Sequence, residues 1–135
     1  MLSGGDNVMK LDPDCVRDVL LTVESHSTYH KGVDPQAFHE DGLDVKYGTE
    51  KLLYHIREVS DAGLVIGFKA FIGGGFLIKD LSPEGHDFLA DIRSETNWKK
   101  TKEVASKVGS TSMKALITIA SSVISSVINK SLGLD

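Results

Sequence analysis

Three helices, a β-hairpin and a following helix, the α+β order of a winged helix-turn-helix, are what this sequence predicts, and three observations predict them. Each of the three prolines follows a residue that caps helices well, in Asp12-Pro13, Asp34-Pro35 and Ser82-Pro83. Proline suits the first helical position because the N–H it lacks would go unpaired there. Two apolar runs, residues 64–72 and 76–81, flank Gly73-Gly74-Gly75 as the arms of a hairpin flank its turn. Between the second proline and the first run lies an amphipathic stretch opened by Thr49, which supplies the third helix.

Taken in order, the residues justify each element. After Pro13 the apolar residues Val16, Val19, Leu20 and Val23 recur at helical spacing, so the first helix runs to about residue 25. Asp12, Asp14 and Asp18 sit where the start of a helix favours negative charge, and Arg17 is expected to pack or pair within that helix. Cys15 has no evident base beside it and is read as a small buried hydrophobe. A polar connection then leads to a short helix carrying Ala37 and Phe38. Leu43, Val45 and Tyr47 alternate, which predicts a short strand or an extended approach. In the helix capped by Thr49, Leu52, Leu53, Ile56 and Val59 form the buried stripe and Gly63 closes the end. After the hairpin, Ser82-Pro83-Glu84-Gly85 starts a helix that buries Phe88, Leu89 and Ile92. Lys99, Lys100, Lys102 and Lys107 then surround Trp98 and Val104 in a basic linker. Residues 110–132 form a last helix with Met113, Leu116, Ile117, Ala120, Val123, Ile124, Val127 and Ile128 on its apolar face. The chain thus divides into a flexible leader (1–8), a winged-helix domain (9–95), and a basic linker with a C-terminal amphipathic helix (96–135).

Composition sets the outer bounds. The 135 residues suit one domain, and 41% apolar with 25% charged residues is ordinary globular usage that argues against extensive disorder. One cysteine excludes an internal disulfide and a cysteine-based zinc site and suits a reducing, cytoplasmic setting. The first residues lack the basic-then-apolar pattern of a secretory signal. The uncharged stretch 115–129 has 15 residues, four of them serine, short of the ~20 a membrane span needs. Charge is unevenly distributed. Residues 1–95 hold 9 basic and 17 acidic side chains, whereas residues 96–135 hold 6 lysines and 2 acids. An acidic body with a basic tail repels nucleic acid on average, although a local basic stripe still attracts it.

Two resemblances rest on particular residues. Residues 49–64, the hairpin and residues 80–89 resemble the third helix, wing and following helix of multiple-antibiotic-resistance-type and related small bacterial regulators. Leu81-Ser82-Pro83-Glu84-Gly85 matches the leucine-threonine/serine-x-glutamate-glycine pattern those proteins show after the wing. From Met9 onward, residues 9–18, Leu53-Tyr54-His55-Ile56, the wing, residues 85–89 and Trp98-Lys99-Lys100-Thr101-Lys102 are similar to the family known as domain of unknown function 2513. That family occurs in bacteria and their phages and prophages, so the resemblance implies a mobile-element context; it brings no established activity or catalytic residues.

The expected contact residues are Lys46, Thr49, Lys51, Tyr54, His55 and Arg57 on or beside the third helix, with Lys69 and Lys79 on the wing. A recognition helix would present such side chains to base edges and its free N–H groups to phosphate. Glu50, Glu58 and Asp61 share that surface, however, and Phe68, Phe71 and Phe76 make the wing apolar for a DNA contact. The glycine triplet lacks the Gly-Lys-Ser/Thr ending of a phosphate loop. His26 and His30 have metal-like spacing without the metallopeptidase pattern, and nothing resembles a nucleophile elbow. The expectation is a non-enzymatic binding protein with no metal or cofactor: duplex DNA first, as a small regulator dimerised through the last helix. The alternative is a winged helix turned to protein–protein interaction, as in a phage accessory factor that engages a host protein. Attachment of residues 98–132 to a membrane surface ranks last.

Overall fold

The computed structural model describes residues 9–109 and 112–134 and is a mixed α+β fold; the expected leader lies outside the described residues. Its centre is α1 (Pro13–His26), against which the next four helices pack. Asp12 caps α1 by accepting from the Asp14 N–H at 3.0 Å, and Cys15, Val16, Val19, Leu20 and Val23 are buried along it. Asp34 caps α2 (Pro35–Glu40), whose Phe38 is buried.

Where the alternation of Leu43, Val45 and Tyr47 predicted a strand, the chain forms a one-turn helix, α3 (Leu43–Tyr47). Leu43 and Tyr47 are four residues apart and share a helical face, Leu43 buried and Tyr47 half-buried, while Val45 projects into solvent. A period of two over three residues is also a period of four, so the pattern fits both structures.

The third predicted helix is α4 (Thr49–Asp61), but its cap is Gly48, at φ 83°, rather than Thr49. The helix ends as the sequence predicts. Gly63 at φ 77° allows its own N–H to reach the Ser60 carbonyl at 3.0 Å and that of Leu64 to reach Val59 at 2.9 Å.

Strands β1 (Val65–Ile66), β2 (Lys69–Ala70), β3 (Phe76–Leu77) and β4 (Asp80–Leu81) form a single antiparallel hairpin. The pairs Val65↔Leu81 and Lys69↔Leu77 share one register across the gap between the two ladders. In that gap Ile78 pairs with Val33, through N–H to carbonyl bonds of 2.7 and 2.9 Å, so the segment before α2 lies alongside the hairpin. Gly32 permits this approach, since a Cβ there would lie 2.6 Å from the Ile78 carbonyl oxygen.

Ser82 caps α5 (Pro83–Ile92) by accepting from the Gly85 N–H at 2.9 Å, and its hydroxyl donates to the Gly63 carbonyl. One buried side chain therefore joins the end of α4 to the start of α5. Phe88, Leu89 and Ile92 are buried as expected.

The basic linker is instead a helix, α6 (Glu95–Val108), capped by Ser94. Trp98, Thr101 and Ala105 are buried, and the indole N–H donates to Asp14 at 2.9 Å. Lysines on the other positions made the segment look like a linker, but a buried residue every three or four positions suffices to dock a helix. Arg17, expected to pair within α1, reaches across to this junction and donates to the carbonyls of Ile92 and Arg93 at 3.1 and 2.7 Å. It also pairs with Glu95 at 3.0 Å. Helix α7 (Met113–Ser131) folds back over α5 and α6, so one core runs from α1 to Ala120. Among the described residues no helix is long and apolar enough to cross a membrane.

Candidate functional site

Between α4 and the hairpin tip lies a groove of about 640 Å³. The buried Phe76 forms its floor, stacked on Phe68 at 6.1 Å between ring centroids and tilted against Phe38 at 5.8 Å. Its walls are Met9, Leu53, Phe68 and Phe71, with Leu53 43% and Phe71 54% exposed. Leu53 was expected in the buried stripe of α4; that place belongs to His55, one helical turn before Val59. Glu50 and Arg57 are the charged side chains lining the groove, and they are opposite in sign. The Arg57 guanidinium lies 5.5 Å from the Tyr54 ring centroid.

Seven of the eight expected contact residues fall into three groups. Tyr54 and Arg57 line the groove, and Thr49 is exposed at the start of α4. Lys69 and Lys79 are exposed on the two arms of the hairpin. Lys46 and Lys51 turn away from the groove towards α1, where Lys46 meets Asp18 at 2.9 Å and Lys51 meets Asp12 at 2.7 Å. The hydrogen bond to Asp18 raises the Lys46 pKa above its ordinary value. Lys46 and Lys51, two of the expected contact residues, are thus held in ion pairs with Asp18 and Asp12.

His55 belongs to none of these groups, being fully buried. Its Nε2 accepts from the Asp12 N–H at 2.8 Å and its Nδ1–H donates to the Lys51 carbonyl at 2.8 Å. Burial pushes its pKa down, which fits a neutral ring with one donor and one acceptor nitrogen. Its expected role in external contact is thus a structural one, and its helical spacing from Val59 was the signal for it.

The carboxylates of α1 do more than stabilise a helix start. Asp12 and Asp18 hold Lys51 and Lys46, and Asp14 takes Lys102 at 2.9 Å beside the Trp98 indole. Burial pushes the Asp14 carboxyl up, but the hydrogen bonds from Lys102 and Trp98 outweigh it and hold the pKa below its ordinary value. Of the other basic-tail residues, Lys99 is exposed, and Lys100 and Lys107 lie 3.3 and 4.0 Å from Glu103.

The proposed oligomerisation stripe also divides. Met113, Leu116 and Ala120 are buried within the chain itself and Ile117 packs on the same core. Val123 and Ile124 are half-buried, while Val127 and Ile128 are 40% and 50% exposed. The first half of α7 is consumed by docking onto α5 and α6.

His26 and Cys15 are engaged in the fold, while His30 lies on an exposed connection. His26 meets Asp41 at 2.9 Å, Asp41 also accepts from Thr22 at 2.8 Å, and His30 lies edge-on to Tyr29. Burial pushes the Cys15 thiol up to about 12. Among the described residues, no group of three or more His, Cys, Asp or Glu side chains is arranged to hold a metal ion.

A family model described as "Hypothetical protein (DUF2513)" matches residues 10–112. A protein of Haemophilus influenzae, described only as an uncharacterized protein, is 29% identical over 123 residues, which cover 89% of this chain and 99% of that protein. No solved structure matches.

Proposed function

The chain belongs to the DUF2513 family, and from that footing we propose that it is a non-enzymatic winged-helix protein whose α4–hairpin groove binds a protein segment. The observation that carries this reading is the groove itself, apolar where a DNA reader would be basic. DNA affinity comes chiefly from phosphate neutralisation by free cations. Here the groove's charges cancel at Glu50 and Arg57, and Lys46 and Lys51 are paired with α1. What the groove offers is exposed leucine and phenylalanine around a buried aromatic floor, the kind of concave apolar surface that accepts a partner's anchor residues. Each buried anchor of leucine or phenylalanine size contributes roughly 1.5–3 kcal/mol. The winged-helix assignment is supported by the helix order, the hairpin and the Val33–Ile78 pairing, which lays a third extended segment against the hairpin.

Selection from a displayed library of 16-residue peptides against the full chain tests the reading. The expected winners carry aromatic or aliphatic anchors, and both Leu53→Asp and Phe71→Asp weaken them by about tenfold or more with circular dichroism unchanged. A second reading, duplex DNA binding as a dimeric regulator, is favoured by the exposed Lys69 and Lys79 on the hairpin arms. Its signature is fluorescence anisotropy showing affinity that falls steeply with salt and a slope that shrinks in Lys69→Ala and Lys79→Ala. That result, with no anchor-dependent peptides, replaces the first reading by the second.

A further inference from the structure

A second groove, of about 500 Å³, runs between α6 and the outer half of α7, away from α4 and the hairpin. Val104, Ile119, Val123 and Val127 supply its apolar surface, short hydroxyl side chains leave it open, and Lys100 and Lys130 lie along it. We propose that this groove docks an acidic amphipathic helix of a partner protein, at a site distinct from the α4–hairpin groove.

Shape and charge argue together. On α7 the groove extends from Thr118 to Lys130, about 18 Å at the helical rise, which accommodates roughly three turns of a partner helix laid along the pair. Residues 95–134 carry six lysines and two glutamates, in a chain whose overall charge is −4. Glu95 pairs with Arg17 at 3.0 Å, while Glu103, 3.3 Å from Lys100 and 4.0 Å from Lys107, offsets part of that charge and leaves the segment net positive. An apolar strip edged by lysine on a locally cationic surface complements a helix with an apolar stripe and acidic flanks.

The same features disfavour the other occupants. Helix α7 contains Lys114 and Lys130 and no acidic residue, so the α7 of a second copy would set lysine against the lysine edge, and like charges oppose association. The residues that would have driven a large self-interface, Met113, Leu116 and Ala120, are already buried. A membrane surface favours an exposed apolar helix face opposite a Lys/Arg-rich one, whereas this groove lies between two helices and the exposed positions of α7 mix serines with Val127 and Ile128 and carry Lys114 and Lys130 as their basic residues.

The test is a library of 14-residue helical peptides with a fixed leucine stripe and either glutamate or lysine at every flanking position, selected against the full chain. Glutamate-rich peptides are the expected winners, weakened about tenfold or more by Val123→Asp and untouched by Leu53→Asp, which separates this site from the α4–hairpin groove. The double variant Lys100→Glu with Lys130→Glu changes only surface positions and is expected to reverse the preference towards lysine. Lysine-rich winners, no enrichment, or glutamate-rich winners indifferent to these α6–α7 substitutions overturn the proposal. So does sedimentation of the chain with phosphatidylglycerol vesicles, or concentration-dependent dimerisation, that Val123→Asp abolishes in the absence of peptide binding.

Discussion

At position 55 the chain buries an imidazole between two backbone groups, and that choice has a pH signature. An ordinary histidine titrates at 6.5, and burial holds the folded His55 below that value. Between the folded and unfolded pKa values the unfolded chain binds more protons, so stability rises with pH through that window. The contribution is complete above about 6.5 and is lost as pH falls, at no more than about 1.4 kcal/mol per pH unit for one group. His39 has the opposite sign, because a hydrogen bond to Asp44 and that carboxylate's charge raise its pKa. It stabilises below its unfolded pKa and loses that contribution as pH rises through the folded value, but its exposure leaves it well screened. Urea denaturation is expected to show a lower midpoint at about pH 5.5 than at about pH 7.5. In His55→Gln, which keeps an acceptor for the Asp12 N–H and cannot titrate, most of that difference should vanish. An undiminished difference would assign the pH dependence to other groups.

At the scale of elements, the junction of α4, hairpin and α5 is the most constrained part of the fold. Gly85 sits in the first turn of α5, where alanine would ordinarily favour a helix by up to ~1 kcal/mol. Here an added Cβ would lie 2.0 Å from the Leu64 carbonyl oxygen. That oxygen cannot readily retreat, because it accepts from the Ser82 N–H at 3.0 Å in the pairing that opens the hairpin. Gly85→Ala is therefore expected to destabilise by about 1–3 kcal/mol, the usual cost of overpacking, measured by chemical denaturation. A neutral or stabilising result would mean that α5 slides along the hairpin without loss. The same junction fixes the angle between α4 and the hairpin, and so the width of the groove that separates them.

Across the whole molecule, α6 and α7 are part of the body rather than an appendage. Trp98, the only tryptophan, is buried with its N–H on Asp14, and the core continues through Leu116 to Ala120. Thermal unfolding followed by Trp98 fluorescence and by far-ultraviolet circular dichroism should give coincident transitions, as a single cooperative unit requires. A fluorescence transition well below the dichroism transition would make α6–α7 a separately folding unit. The charge split has a physical outcome at this scale too. The basic segment docks on the acidic one through Asp14–Lys102 and leaves Lys100 and Lys130 at the α6–α7 groove.

The sequence by itself determined the α+β class, the helix starts at Pro13, Pro35 and Pro83 behind their Asp or Ser caps, the glycine end of α4 and the hairpin around Gly73–Gly75. These are local consequences of backbone geometry and of periodicity over one or two turns, so neighbouring residues suffice to read them. Only the tertiary structure decided that residues 43–47 are helical, that residues 95–108 are a docked helix, and that His55 lies inside while Leu53 lies outside. Those outcomes depend on which face of a helix meets a neighbour far away in the chain. The same holds for charge. A lysine's number in the sequence records that it is positive, but whether its field reaches a partner depends on the aspartate that folding places beside it. Lys46 and Lys51 are paired with carboxylates 28 and 39 residues earlier, at Asp18 and Asp12, and the α4–hairpin groove is left largely apolar.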